Sequence, residues 1–420
     1  MKVTRRSFMK AATVAGFPMI IPASVLGKNA PSNRITLGCI GMGGQGTHAN
    51  LRSFLNCDDA HVLSVCDVWD HKTHAARKMV EKTYKTTGCK GTSDLREIIA
   101  DSSIDAVVIS TPDHWHVPIS LMALKAGKDV FCEKPTMTIA EGRELLDLVN
   151  ERKAVFQMGM EDRSVPHYHK MVEWLRNGAI GELERVDLQL PEGKILPEEE
   201  EIAVPKELNY ELFVGPAPFV PYTKNRTRQI DWRMIRNFGN GTLVDWGSHQ
   251  MDTAQLAVND PNVCPIEVEA TGNVPEGKRT NVPVTFDVKY RYTNGKEVRI
   301  TSGGTGIRLT GTKGWVGNDS WRGQLKASDE KILHTKYSPE TSKHWQRPAG
   351  EQRNFIDCVK SRKPTTYRAD TMHKLHVSLH MGNIAIYLGR KLKWNPAKEE
   401  FINDDEANAM RGRKNREWNT

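Results

Sequence analysis

The run Gly41-Met42-Gly43-Gly44-Gln45-Gly46 constrains this chain more than any other feature. It follows the apolar stretch Ile35 to Ile40 and opens a helix-like stretch, so it reads as the turn between the first strand and first helix of a βαβ unit. In that setting Gly41 permits the tight turn and Gly43 lets a pyrophosphate approach the backbone. Gly46 lets the helix pack close to the sheet with its N-terminus facing phosphates, and Met42 and Gly44 complete the cradle. Asp67 ends the next apolar run, Val62 to Cys66, where a carboxylate can accept hydrogen bonds from ribose hydroxyls. It would repel a 2′-phosphate, which favours NAD over NADP, while His71 and Lys72 keep NADP open.

From Arg34 to about Gln157, short apolar runs alternate with amphipathic stretches, the pattern of a parallel sheet flanked by helices. Strands are expected at Ile35 to Ile40, His61 to Cys66, Ala106 to Ser110, Asp129 to Cys132 and Ala154 to Gln157. Helices are expected at Val117 to Lys125 and Ile139 to Arg152. After a further helix, Val165 to Arg176, longer alternating runs such as Glu184 to Leu190 and Thr285 to Tyr292 imply antiparallel strands with one buried face. The expected fold is therefore α/β: a Rossmann dinucleotide-binding domain at residues 31–157, then an α+β open-sheet domain at residues 158–395 and a tail at 396–420. The excursion from Pro191 to Asn240, rich in Pro, Arg and aromatics, is expected to be functional or an oligomer arm. Segments Gln352 to Ser361 and Met372 to Leu388 read as helices that pack back between the domains.

Residues 1–27 stand apart. Thr4-Arg5-Arg6-Ser7-Phe8-Met9-Lys10 and the apolar run Ala11 to Ile21 resemble a twin-arginine export signal, too short and too broken by Pro18 and Pro22 to span a bilayer. A soluble periplasmic product follows. Loss of Lys2, Arg5, Arg6 and Lys10 lowers the formal charge from +8 to +4, which removes the compositional case for nucleic acid. Arg411, Arg413, Lys414 and Arg416 read as a solvated terminus. Seven cysteines without a CxxC pair indicate neither a disulfide framework nor a zinc knuckle, and Cys39, Cys66 and Cys132 sit in strand-like runs as small hydrophobes.

Three further segments carry chemistry: Thr111-Pro112-Asp113-His114-Trp115-His116, Glu133-Lys134-Pro135, and Asp245-Trp246-Gly247-Ser248-His249-Gln250-Met251-Asp252. With the glycine loop, their order and spacing resemble the glucose-fructose oxidoreductase, inositol dehydrogenase and rhizopine-catabolism family (Gfo/Idh/MocA). The resemblance implies that Thr111, Pro112, His116 and Glu133 run along the dinucleotide. It also implies that Lys134 stands at the nicotinamide and the reacting hydroxyl, with Asp245 and His249 opposite. Asp245, His249 and Asp252 are spaced i, i+4, i+7, one face of a helix. A histidine titrates near neutrality and suits proton transfer, so His249 is assigned as acid/base, Lys134 as the orienting and electrostatic partner and Asp245 as the group holding substrate or imidazole; Lys134, desolvated beside a charged nicotinamide, stays open as the alternative base. His114 and His116 form an HxH that metal sites also use, but no metal is assigned. Trp232, Tyr222, Arg226, Arg228 and Arg233 in the excursion either bind a sugar or form a subunit contact.

The expected activity is hydride transfer between a sugar, glycoside or polyol C–OH and a tightly bound NAD, in a homo-oligomer (dimer or tetramer) without a membrane or nucleic-acid partner. Tight binding follows from export after folding into a compartment without free dinucleotide. The alternative is a glycosidase or lyase that oxidises the sugar transiently and reoxidises its cofactor within one cycle.

Overall fold

A computed structural model describes residues 33–338, 340, 343 and 347–418. The twin-arginine segment lies outside the described residues. β1 (Ile35–Ile40), β2 (Ala60–Cys66), β3 (Lys90–Thr92), β4 (Ala106–Ile109), β5 (Asp129–Glu133) and β6 (Phe156–Gly159) pair in parallel in the order β3-β2-β1-β4-β5-β6. Val107, Val108, Val130, Phe131 and Cys132 are buried because helices cover both faces, which is why these strands read as continuous apolar runs. The strand order reverses between β1 and β4. In an open parallel sheet that reversal leaves a crevice beyond the carboxyl ends of the strands, where ligands bind.

The centre of the second sheet is β7 (Leu183–Leu190), β8 (Glu267–Asn273), β9 (Thr285–Arg291), β10 (Glu297–Ser302), β11 (Ile307–Gly311) and β12 (Gly314–Asn318), and its short edges are β13 (Lys326–Ala327), β14 (Leu392–Asn395) and β15 (Glu400–Phe401). Among the described residues these nine strands lie in the order β13-β12-β11-β7-β10-β9-β8-β14-β15. β7 and β10 run parallel and the other neighbours antiparallel. Val186, Leu188, Val288, Tyr290, Val298 and Ile300 point to the buried face, against the helices Gly241–Val258 and Ala369–Leu388. The other face carries cross-strand ion pairs such as Arg299 with Asp287. This is the expected pairing of a Rossmann domain with an α+β open sheet.

The helix Glu351–Ser361 returns to the first domain, where Phe355 meets Phe54 and Phe131 edge-on and joins their core. The segment 396–418 corrects the expectation of a solvated terminus. Arg413 bonds Glu141 and the His114 carbonyl, and Arg416 bonds the Gly215 carbonyl and pairs with Glu211. Trp418 meets Trp115 edge-on at 4.9 Å. Only Lys414 of the four basic residues is exposed. All seven cysteines are free, and no helix among the described residues is long and apolar enough to cross a membrane.

Candidate active site

A cavity of about 630 Å³ opens at the crevice, between the glycine loop and the helix Gly241–Val258. Gly41 holds φ +90°, and a Cβ there would lie 2.6 Å from the Ser110 carbonyl; a Cβ on Gly46 would lie 1.9 Å from the Gly41 oxygen. Neither position admits a side chain. Above Gly43 there is nothing within 4 Å of where a Cβ would sit, so the backbone is open to an approaching group. Gly41, Met42, Gly43 and Gly44 line the cavity, while Gly46 serves the packing of the helix behind it. The cradle, its helix N-terminus and a carboxylate at the β2 end fit a nicotinamide dinucleotide.

That carboxylate, Asp67, accepts the Met42 amide at 2.7 Å and the Trp69 amide at 2.9 Å. It ties the glycine loop to the β2 turn and also faces the cavity. Burial, partly offset by Lys72, raises its pKa. Thr111, Pro112 and His116 border the same space. The His116 ring lies between two carbonyls, 2.8 Å from Pro135 and 2.9 Å from Thr111, and burial lowers its pKa to about 4. It therefore staples the β4 loop to the turn after β5. His114 faces a different carbonyl, that of Phe213 at 2.9 Å, so the two histidines do not converge. Glu133 accepts from Asn50 at 2.8 Å and Gln45 at 3.1 Å, bracing the first helix against β5.

At the outer end, the cis Lys134-Pro135 peptide turns the chain and Lys134 reaches across to Asp245, bonding its carboxylate and, at 2.9 Å, its backbone oxygen. Arg233 from the excursion takes the second Asp245 oxygen at 3.3 Å. Burial would raise the Asp245 pKa, but Lys134 and Arg233 hold it well below the usual carboxylate range. One turn on, His249 lines the cavity with Nδ1 2.7 Å from Asp162 Oδ2. Burial pulls the His249 pKa down, but the Asp162 carboxylate outweighs it and the net shift is upward. The structure thus brings Lys134, Asp245 and His249 together from two domains. Asp252 shares their helix but points elsewhere, held by Arg163 in a two-armed pair at 2.5 and 2.8 Å.

In the excursion, Trp232 and Arg233 line the cavity, whereas Tyr222 lies in the excursion's own core with Tyr210 and Phe213. Arg226 and Arg228 do not border the cavity. The segment is an ordered wall of the site, tied to the β2 turn by a bridge between Trp69 and Leu208. Two comparisons decide what this assembly is. A profile described as the NAD-binding Rossmann fold of the Gfo/Idh/MocA oxidoreductase family matches residues 35–160, and one for that family's C-terminal alpha/beta domain matches residues 194–420.

The chain belongs to the Gfo/Idh/MocA oxidoreductase family.

Gfo/Idh/MocA relatives include a levoglucosan dehydrogenase of Pseudarthrobacter phenanthrenivorans, 37% identical over 40% of this chain and 37% of the relative. An inositol 2-dehydrogenase of Rhizobium meliloti is 36% identical over 31% of this chain and 37% of the relative. The matched segments thus span well under two thirds of those relatives. Among solved structures, an aldose-aldose oxidoreductase from Caulobacter crescentus superposes with a TM-score of 0.64 at 20% identity, over 86% of this chain and 99% of that one. This likeness shows the fold.

Three residues beside His249 in this Gfo/Idh/MocA chain escaped the sequence reading: Glu161, Asp162 and Trp321. Asp162 is 1% exposed and its second oxygen accepts the Trp321 indole N–H at 3.1 Å; Glu161 pairs with Arg322 at 2.7 Å. A signal existed for the two acids, since they follow β6 at the carboxyl edge of a parallel sheet, where ligand sites gather. Trp321 sits after β12 with no local pattern to mark it.

Proposed function

We propose that the protein is an NAD-dependent dehydrogenase that moves hydride between a C–OH carbon of a sugar, glycoside or polyol and a tightly held dinucleotide. The observation that carries this reading is that Lys134, Asp245 and His249 line the same cavity as the glycine loop, with Lys134 paired to Asp245. Relatives named for levoglucosan and inositol favour a sugar or polyol. When bound, the oxidised nicotinamide would supply the hydride acceptor. His249 takes the hydroxyl proton on Nε2, the ring nitrogen that makes no hydrogen bond among the described residues. Lys134, paired with the Asp245 carboxylate, stabilises the developing alkoxide. Arg233 shares the same carboxylate, so two cations face one anion where negative charge grows.

The test is a panel of sugars, glycosides and polyols, with absorbance at 340 nm followed on the dinucleotide-loaded protein. A rise with a cyclic polyhydroxy compound supports the reading, and a flat trace across the panel ends it. Release of aglycone from a chromogenic glycoside without any electron acceptor would instead support transient oxidation, the chemistry kept as the alternative.

NAD is favoured over NADP by Asp67. Asp67→Ser combined with Val68→Arg is expected to weaken NAD and strengthen NADP, since the repulsion of a 2′-phosphate is relieved; unchanged dissociation constants for both would assign the ribose to other groups. Export through the twin-arginine route and retention of the cofactor in the periplasm remain part of the proposal. Near-stoichiometric dinucleotide released from dialysed, denatured protein supports retention, and an empty protein that rebinds NAD only at micromolar levels removes it. Ile195, Ile202, Val204, Phe219 and Ile230 are exposed on the excursion and favour a homo-oligomer, dimer or tetramer. A monomer in analytical ultracentrifugation would set that aside.

A further inference from the structure

A histidine that accepts a proton at one nitrogen must keep the other protonated, and its ring must be held so that the accepting lone pair faces the substrate. Nothing in the helix Gly241–Val258 supplies that second partner for His249. The partner comes from the loop after β6. Asp162 Oδ2 lies 2.7 Å from His249 Nδ1, and Oδ1 accepts the Trp321 indole N–H at 3.1 Å, so both carboxylate oxygens are engaged. The next residue in the loop, Arg163, grips Asp252 with two nitrogens, and Asp252 lies one turn beyond His249 on the same helix. The loop is thereby fastened to the helix that carries the imidazole, at two adjacent points.

We infer that Asp162 is the positioning residue of the proton-transfer step: it holds the proton of His249 on Nδ1 and leaves Nε2 as the acceptor facing the cavity. The inference rests on the reading of His249 as acid/base. An ionised carboxylate can only accept, so a 2.7 Å contact requires the hydrogen on Nδ1. Asp162 meets that condition. It is buried, which by itself would raise its pKa, but His249 and the Trp321 N–H lower the pKa below the ordinary aspartate value.

Every charged group around the ring has a defined part. From the β6 loop, Glu161 stands 4.0 Å from Nδ1 and is occupied by Arg322. From the turn after β5, Lys134 opposes a charged imidazole, and from one turn earlier on the same helix Asp245 is neutralised by Lys134 and Arg233. Asp162 is therefore the principal group favouring the imidazolium, against burial and Lys134.

Asp162→Asn keeps the size of the side chain and removes its charge. Its amide can accept from Nδ1–H or, flipped, donate to a bare Nδ1, so the tautomer is no longer fixed. The plateau of kcat/KM for alcohol oxidation is expected to fall by ~10²-fold. Its acid limb, which rises as His249 loses its proton, is expected to move to lower pH by ~1 unit or more, because an opposite charge at this range is gone. A merely structural defect would lower the plateau without moving the limb. Independently of turnover, ¹⁵N shifts of the imidazole, assigned by comparison with His249→Gln, should report Nδ1 protonation in the parent and a tautomer mixture in Asp162→Asn. Retained NAD binding, read by quenching of tryptophan fluorescence, certifies the fold of each variant.

A neutral His249 ring, at a pH above the acid limb, that carries its proton on Nε2 in the parent, or an Asp162→Asn protein with unchanged tautomer and acid limb, overturns the assignment. If His249→Gln keeps near-parent turnover, the acid/base reading of His249 fails instead. The imidazole shifts would still report whether Asp162 sets the tautomer.

Discussion

Lys134→Met is expected to bind NAD within a few-fold of the parent and to lose turnover by ~10² to 10³, the usual cost of removing one preorganised charge from a reacting centre. Methionine preserves the aliphatic length that fills the outer end of the cavity. What disappears is the ammonium that meets the Asp245 carboxylate and backbone oxygen. Two effects follow. On the proposed mechanism the forming alkoxide loses the Lys134 cation, and of the two cations paired with Asp245 only Arg233, at 3.3 Å, is left. Binding should survive because the glycine loop and Asp67 lie on the other strands of the crevice. Stopped-flow turnover and an NAD titration on the same preparation separate the two. A variant with near-parent turnover would remove Lys134 from the chemistry.

The second large effect is on stability. Arg163→Ala leaves Asp252, 1% exposed, as a buried carboxylate without its two-armed partner. Breaking such a pair from one side costs about 3–5 kcal/mol, because the remaining charge stays desolvated and uncompensated. In a domain of this size that corresponds to a fall in Tm of roughly 10 °C. Replacing both partners, Arg163→Met with Asp252→Leu, should recover most of the loss, since the cost lies in the orphaned charge rather than in the absent bridge. Equal destabilisation by the single and double variants would show that the loop depends on the pair in some other way. Because Arg163 adjoins Asp162, the single variant should also loosen the hold on His249.

The elements with strong periodicity were legible in the sequence. Ile35–Ile40 and Ile139–Arg152 have the expected bounds, and the helix placing Asp245 one turn before His249 follows from spacing alone. β3 was not legible, since Lys90-Gly91-Thr92 is short and carries no apolar alternation. The same helical spacing that joined Asp245 and His249 also suggested Asp252. Seven residues advance a helix by about 10 Å, however, and at that distance Asp252 meets Arg163 and not the cavity. Asp162 and Trp321 lie far apart in the chain and gain meaning only where the β6 loop and the β12 loop meet. The basic tail misled for a related reason. Composition says that arginines favour water, but it cannot say that the carbonyls of His114 and Gly215 lie within reach.

The docking of that segment makes two distant stretches of sequence answer for one wall. Trp418 lies edge-on against Trp115, which borders the cavity, and Arg413 bonds the carbonyl of the neighbouring His114. Substitutions at Arg413 or Trp418, remote in sequence from every group at the site, would therefore be felt at the loop after β4.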